Sequence, residues 1–580
     1  MKHFLDSECW PRVVPFVLIV LVGCLLYGHT LEAPFYLDDA GSIYDNKTVK
    51  DLGKAFRGIF AQRGLATLTF ALNYHFGDID VVGYHLVNIA IHLACACLVY
   101  LLLRRVFPGR SLPSLFGALL FVAHPLQTQA VTYLVQRMTS LSALLFLLAM
   151  YLYVLAREKL AAGISFRAPS HLSCYVGAML AGGAAVLVKE NAVVLPVALL
   201  LFTWLCSPAE ERAWRTLLRY LAPFLIFPAL AIGGYLLMPF LSAPKFDTMG
   251  FSRHLRSMEG NSPLHYLATQ CSVLWIYLRM FFLPYGQALD YAYPVSRELV
   301  TLKSVAGGGG LVGLMGLAWW LRRRQSAVAF AVAWFFLTLV VESSLIPLDP
   351  LFEHRLYLPM FGLAVLGGTL LEFVPRAAWQ SGAVVLVIVP LAVLTWQRNA
   401  LWNDPIAFYE QNLQISPDNE RVYFNLSQEY LKAGDFERGE FLIRESIAMN
   451  PARHFGYVSL KEVYLAQERL DEAIGMLQYG IDHVDPKYRG QLLNDLAFVY
   501  GRKGDFDRAI ATLQEAIAAS PEVPAPYYNL AQMLMFAGRE ELIEAYLRKT
   551  LELDPSHTDA RQMLESLKRG KPWGSSPMLQ

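Results

Sequence analysis

"YHLVNIAIHLACACLVYLLLRR", residues 84–105, runs almost without charge until it closes on Arg104 and Arg105. A bilayer's hydrocarbon core of about 30 Å needs roughly 20 predominantly apolar residues to cross it as a helix. This stretch therefore reads as a membrane span over 84–103, with the arginine pair anchoring its cytoplasmic end. Within it, His85 and His92 lie on one helix face and read as packed core rather than metal ligands. Cys95 and Cys97 read as small apolar residues, because no cysteine or zinc-type spacing accompanies them.

Composition extends the reading to the whole chain. Its 580 residues are 55% hydrophobic, 13% aromatic and only 17% charged, which excludes an ordinary soluble protein. Further candidate spans are 13–28, 111–124, 138–156, 172–188, 190–206, 217–240, 264–283, 303–321, 327–342, 356–372 and 380–397. The first is read as a retained anchor, since "GHTLEAPF" after it lacks a small-x-small cleavage pattern. With a cytoplasmic N-terminus, Arg104, Arg105, Arg157, Lys159, Arg212 and Arg215 all fall inside. The triplet Arg322, Arg323, Arg324 follows suit only if 264–283 does not cross. That segment carries His265, Gln270 and Arg279 and is expected to lie in the outer interface. About eleven true spans remain, an odd number that puts the C-terminal part outside.

The C-terminal part has a different character. Residues 403–580 hold 19 Lys+Arg against 27 Asp+Glu, whereas residues 1–402 hold 30 against 21. Prolines recur at Pro417, Pro451, Pro486, Pro521 and Pro555, at steps of 34, 35, 35 and 34. Between them stand "NLSQEYLKAGDFERG", "SLKEVYLAQERLDEA", "NDLAFVYGRKGDFDRA" and "NLAQMLMFAGREELI". A small or turn residue between two amphipathic helices, closed by Pro at this period, resembles the tetratricopeptide repeat. About four copies after a leading helix near 404–416 should stack into an α-solenoid that recruits peptides or proteins. The organisation expected is thus all-α: a membrane domain over 1–402, a repeat domain over 403–570 and a tail over 571–580.

Chemistry is sought on the outer membrane face, where an ionisable residue is costly without a function. The topology collects Asp38 and Asp39 of "FYLDDAGSIYDN", Arg63, His124, Arg137, Lys189, Glu190, Glu342, Glu353, His354 and Arg355 there. A carboxylate facing Arg, Lys and His suits an enzyme that deprotonates an acceptor while holding an anionic leaving group. Plainer roles stand beside this one: Lys189 with Glu190 as a snorkelling pair, His124 as a cap before Pro125, and the arginine triplet as an anchor. "GGGG" at 307–310 lacks a following Lys or Ser and reads as close helix packing. Adjacent carboxylates in an extended segment point to opposite sides, so one of the two aspartates is expected to face a substrate.

"FYLDDAGSIYDN", "RGLATLTFALNYHF", "GYHLVNIAIHL", "FVAHPLQTQAVTYLVQR", "LVKENAVVLP", "YLRMFFLPYGQALDYAYP", "SSLIPLDPLFEHRLYLP" and "WQRNALWNDPIAFYEQNLQISPDN" occur in the order seen in the transmembrane and tetratricopeptide-repeat-containing O-mannosyltransferases and their bacterial relatives. The chain resembles that family over nearly its whole length, and with it the GT-C class of polytopic glycosyltransferases. Gly64 stands where the family more often has Pro, and His354 stands where a second Arg is common. The resemblance implies a mannose-like sugar donated from a polyprenyl or dolichyl phosphate to Ser or Thr of extracytoplasmic proteins. It implies Asp38 or Asp39 as general base in an inverting transfer. Arg63, Arg137, Lys189, His354 and Arg355 become candidates for the donor phosphate, and His124, Glu190 and Glu353 further site candidates. "LDD" is a weak metal signature, so no cofactor is expected to be required, with a divalent cation as the alternative. The protein is expected in a bacterial inner membrane with periplasmic repeats, or in the endoplasmic reticulum membrane with luminal ones. Its expected partners are the lipid-linked sugar, a protein acceptor and the bilayer, without nucleic acid. Competing readings are an oligosaccharyltransferase or lipid-modifying transferase of the same fold, a membrane-anchored repeat scaffold, and a transporter or flippase, which would place ionisable residues at mid-span.

Overall fold

The computed structural model describes residues 10–207, 214–230, 233, 262–539 and 542–569. The tail at 571–580, Cys9, Arg212 and the end of the 217–240 candidate lie outside them. Two compact units divide the chain, Met1–Phe408 and Tyr409–Gln580. Among the described residues both are helical, without strands.

Among the described residues of the first unit, six helices are long and apolar enough to cross a membrane: Val13–Thr30, Val81–Val106, Leu134–Ala161, Pro169–Val188, Leu302–Leu321 and Ala377–Leu401. Five shorter apolar helices accompany them, among them Ser111–Ala123, Ser326–Leu339 and Met360–Glu372. At 1.5 Å per residue a helix of 13 residues reaches only about 20 Å, short of the hydrocarbon thickness. Their ends are dictated locally. Ser111–Ala123 stops at His124, whose extended backbone (ψ 128°) is what the following Pro125 demands. Pro169–Val188 stops at Lys189, also extended (φ −152°, ψ 132°). Between the broken ends run short 3₁₀ turns at Pro125–Gln127, Leu134–Gln136, Glu190–Val194 and Glu353–Leu356. Irregular backbone at membrane depth survives only where protein buries and bonds it, and this layer is stitched by side chains throughout.

The helix Pro263–Phe282 is 20 residues long but is not among the six apolar spans. Its polar face is spent on the loop that follows Ser326–Leu339. Tyr266 donates to the Glu342 carbonyl at 2.6 Å, Gln270 to Pro350 O at 3.0 Å and Tyr277 to Phe352 O at 3.1 Å. The Phe281 carbonyl bonds the His124 ring at 3.0 Å. Both ends of the helix are thus fastened to the turn layer. The four-glycine run packs this helix against Leu302–Leu321: a Cβ at Gly307 would fall 2.6 Å from Cys271 O, and one at Gly310 2.7 Å from the Trp275 ring.

The second unit is a tetratricopeptide-type solenoid of four helix pairs. They are Glu420–Lys432 with Phe436–Met449, His454–Ala466 with Leu470–His483, Arg489–Lys503 with Phe506–Ala519, and Pro524–Phe536 with Ile543–Leu553. Leu460, Leu477, Leu496, Leu513, Leu530 and Leu547 form one continuous core along it. The turn inside each pair needs a left-handed residue, supplied by Gly434 (φ 82°), Gly504 (φ 83°) and Gly538 (φ 68°). In the second pair Glu468 takes that place at φ 57°. A residue with a Cβ in this conformation costs roughly 1–2 kcal/mol. Glu468→Gly is therefore expected to stabilise the repeat unit by about 1 kcal/mol in chemical denaturation; an unchanged or lower midpoint would contradict the strain at this turn.

Candidate active site

The first loop turns on Leu37, a non-glycine residue at φ 34°. The chain reverses there, and the Asp39 amide returns to the Tyr36 carbonyl at 2.8 Å. A short π-helical turn, Ala40–Tyr44, follows. The segment is therefore helical, not extended as the sequence suggested, because the left-handed residue and the Asp39 cap close it on itself. The two aspartates still part company. Asp39 is fully buried, and its carboxyl accepts from Tyr36 N at 2.9 Å and from Val135 N at 2.6 Å. Burial pushes its pKa up to about 8, while those two N–H groups pull the other way. Asp38 is exposed, and its amide donates to the Tyr133 hydroxyl at 2.8 Å.

From Val135 a short path leads to the cations. The next residue, Gln136, accepts from Thr139 Oγ1 at 3.0 Å, and Thr139 accepts from Lys189 Nζ at 3.1 Å. Lys189 also pairs with the buried Glu342 at 2.7 Å. Arg63 meets Glu190 at 3.1 Å, with each side chain 45% exposed, so this pair contributes little and opens readily. Arg355 donates through Nη1 to Pro350 O at 3.2 Å and to Tyr266 Oη at 3.5 Å. Burial, then the charges of Lys189, Arg355 and Arg63, hold the His354 imidazole well below its ordinary pKa. Its amide and Nδ1 both lie on Gln129 Oε1, at 2.7 and 3.2 Å. Arg63 is set by strain of its own, at φ 59°, before Gly64, where a Cβ would fall 2.1 Å from Gly58 O. In this chain the turn admits only glycine at 64.

Three expected site residues take structural roles instead. Arg137 is fully buried and donates to Asn88, Asn73, Thr69 O and Tyr84 O at 2.6–3.2 Å while lying 4.6 Å from the Phe70 ring centroid, so it has nothing to offer a phosphate. His124 accepts from Leu126 N through Nδ1 and bonds Phe281 O through Nε2, which makes it a cap and a tie. Glu353 is buried under both Arg398 contacts, Tyr291 Oη at 2.6 Å and Gln287 Nε2 at 2.8 Å; burial raises its pKa despite the arginine. His85 and His92 do not converge: one bonds Ala33 O, the other Tyr357 Oη. The sequence reading missed Tyr133, Gln129, Thr139 and Arg398. The one available signal for Arg398 was an arginine in "WQRN" directly after an apolar run.

Beside the helix Pro263–Phe282 lies a cavity of about 520 Å³ lined by Trp275, Leu278, Phe282, Phe335 and Leu363, with Arg279 also in its wall. Tyr277, between the lining residues Trp275 and Leu278, bonds Phe352, two residues from His354.

Against this geometry the likeness to known proteins is specific. Tetratricopeptide repeat models match residues 420–453 and 494–558. Human protein O-mannosyl-transferase TMTC1 is 33% identical over 197 residues, 31% of this chain and 22% of that protein. Xenopus laevis protein O-mannosyl-transferase tmtc2 is 37% identical over 151 residues, 23% and 18%. Human protein O-mannosyl-transferase TMTC3 aligns over 93% of this chain and 64% of its own length at 21% identity. The chain is thus similar to TMTC proteins over parts of its length. The matches span about a fifth of the first two relatives, as the 22% and 18% indicate. Among solved structures, that of MamA aligns with 28% of this chain and 96% of its own at 19% identity and a TM-score of 0.24.

The clamp at Asp39 has a measurable signature. Its folded pKa of about 8 lies above the ordinary 3.8, so the native state holds the proton more tightly than the unfolded chain. The stabilisation is complete below the ordinary value and is lost as pH rises through the folded one. The melting temperature of the detergent-solubilised protein should fall from about pH 4 to about pH 8 and level off above it. Asp39→Asn should flatten that slope and cost about 1–3 kcal/mol, because one backbone N–H would then face an NH₂ group. A variant that melts like the wild type, with the slope intact, would contradict the clamp.

Proposed function

We propose that the protein is a membrane glycosyltransferase that moves a mannose-like hexose from a polyprenyl or dolichyl phosphate to Ser or Thr hydroxyls of extracytoplasmic proteins. The observation that carries this reading is the Lys189–Glu342 pair next to the Arg63–Glu190 pair, whose cations with Arg355 act on His354, joined through Thr139, Gln136 and Val135 to the loop that exposes Asp38. The named O-mannosyl-transferase relatives supply the sugar and the acceptor class.

In this reading Asp38, not the buried Asp39, is the general base. Its carboxylate takes the proton of the acceptor hydroxyl as that oxygen forms a bond to the anomeric carbon from the face opposite the phosphate. The bond from that carbon to the phosphate oxygen breaks, and the polyprenyl phosphate leaves with the electron pair, so the anomeric configuration inverts. Arg63, Lys189 and Arg355 hold the charge that builds on the departing phosphate, a role in which one well-placed donor is worth about 2.7–4 kcal/mol. The apolar cavity beside Tyr277 suits part of an isoprenoid chain. In the repeat unit, a groove of about 410 Å³ that includes Lys461, Asn494, Asp495 and Asn529 offers polar groups to an extended acceptor segment. Lys461 pairs with Asp495 at 2.8 Å and Glu462 at 2.9 Å, and Asn529 donates to Asn494 at 2.8 Å, which holds these polar groups in place along the groove.

The test is transfer from a polyprenyl-phosphate mannose to a peptide acceptor by purified full-length protein, with Asp38→Asn and Asp39→Asn compared. Asp38→Asn is expected to lower turnover about 10²–10⁴-fold with an unchanged melting temperature, as loss of a general base does. Wild-type turnover in Asp38→Asn would remove the mechanism. Absence of transfer from every polyprenyl-phosphate sugar would remove the function.

A further inference from the structure

The residue that organises the first loop lies far from it in sequence. Trp402, just past the helix Ala377–Leu401, is fully buried. Its carbonyl accepts from Tyr36 Oη at 2.7 Å. Its ring meets Tyr36 edge-on at 5.1 Å between centroids and stacks on Tyr133 at 6.1 Å and 29°. Those two tyrosines flank the strained turn. Tyr36 begins it, with its amide on Asp39 and its carbonyl taking the Asp39 amide, and Tyr133 takes the amide of Asp38. The left-handed Leu37 lies between them. Backbone strain of this kind persists only where the surroundings over-determine the conformation.

Trp402 is itself held on a fixed support. Asn399, three residues earlier, accepts from Thr132 Oγ1 at 2.8 Å and donates to Leu26 O at 2.9 Å. The indole Nε1–H is buried without a hydrogen-bond partner among the described residues, a cost that a packing residue such as Phe would avoid.

We propose that Trp402 is a positioning residue for the reaction: through Tyr36 and Tyr133 it sets the turn that presents Asp38 to the acceptor. This rests on Asp38 being the base. The proposal makes the segment that leaves the last span part of the catalytic architecture, although it carries no reacting group.

Hydrogen–deuterium exchange of the full-length protein in nanodiscs, read on peptides covering 35–46, tests the cradle apart from the chemistry. Trp402→Ala is expected to speed exchange there by about tenfold or more, since local opening sets the rate. It should lower kcat by a similar factor and leave KM for the lipid-linked donor unchanged. Trp402→Phe should restore most of both, and Tyr133→Phe should raise exchange at the Asp38 amide while the fold stays intact. Wild-type exchange over 35–46 in both Trp402→Ala and Tyr133→Phe, whatever the melting temperature, overturns the positioning role. Faster exchange with Asp38→Asn still at wild-type turnover overturns the base assignment and leaves the cradle standing.

Discussion

The Asp39 carboxyl, with Tyr36 N on one oxygen and Val135 N on the other, is the joint on which the arrangement of the site depends. It fastens the loop after the first span to the 3₁₀ turn Leu134–Gln136, and so fixes where Asp38 stands relative to everything the next helix carries. The long helix that follows starts at Arg137, whose guanidinium ties Asn73, Asn88 and two backbone carbonyls. One acid and one arginine, both buried, thus define a rigid corner. A surface ion pair cannot do this, because solvent screens it and side-chain entropy loosens it.

The broken helices follow from the same constraint. A continuous span satisfies its own backbone and leaves no room for chemistry. A span that stops at His124 or Lys189 frees carbonyls and amides that the hydrocarbon will not tolerate. Those groups are met by side chains from distant parts of the chain: His124 on Phe281, Gln129 on Leu289 O and the His354 amide, Arg398 on Gln287 O. The polar side chains that a sequence reader collects as candidates are, in part, the ones needed to make such a layer at all.

That explains which parts of the molecule were legible. Spans and repeats are periodic or compositional, and a solenoid announces itself through its 34- and 35-residue steps. Arg63, Lys189, His354 and Arg355 were each named from the sequence, but their ion pairs with Glu190 and Glu342 were not. Arg137 and Glu353 were not separable from them: a buried arginine whose donors are spent and one that waits for an anion look the same in "LVQRM" or "FEHRL". The difference lies in Asn73, Asn88, Gln287 and Arg398, which come close only in three dimensions. Trp402 was hidden for the same reason, since its partners Tyr36 and Tyr133 are hundreds of residues away.

The charge of the cluster bears on the proposed reaction. Arg63, Lys189 and Arg355 stand against Glu190 and Glu342, and the neutral His354 adds nothing, so three cations over two carboxylates leave one net positive charge. A glycosyl phosphodiester carries one negative charge and fits that balance. When the sugar departs, the phosphate becomes a monoester and gains a second charge, which the resting cluster does not match. Glu190, on the exposed side, is the carboxylate that can swing away from Arg63, since its pair is solvated. Glu342, buried on Lys189, cannot leave without stranding a cation, and truncating one partner of such a pair is severe. In the proposed reaction the added positive charge would therefore come from the Arg63 side, with Lys189 contributing its charge while still paired to Glu342.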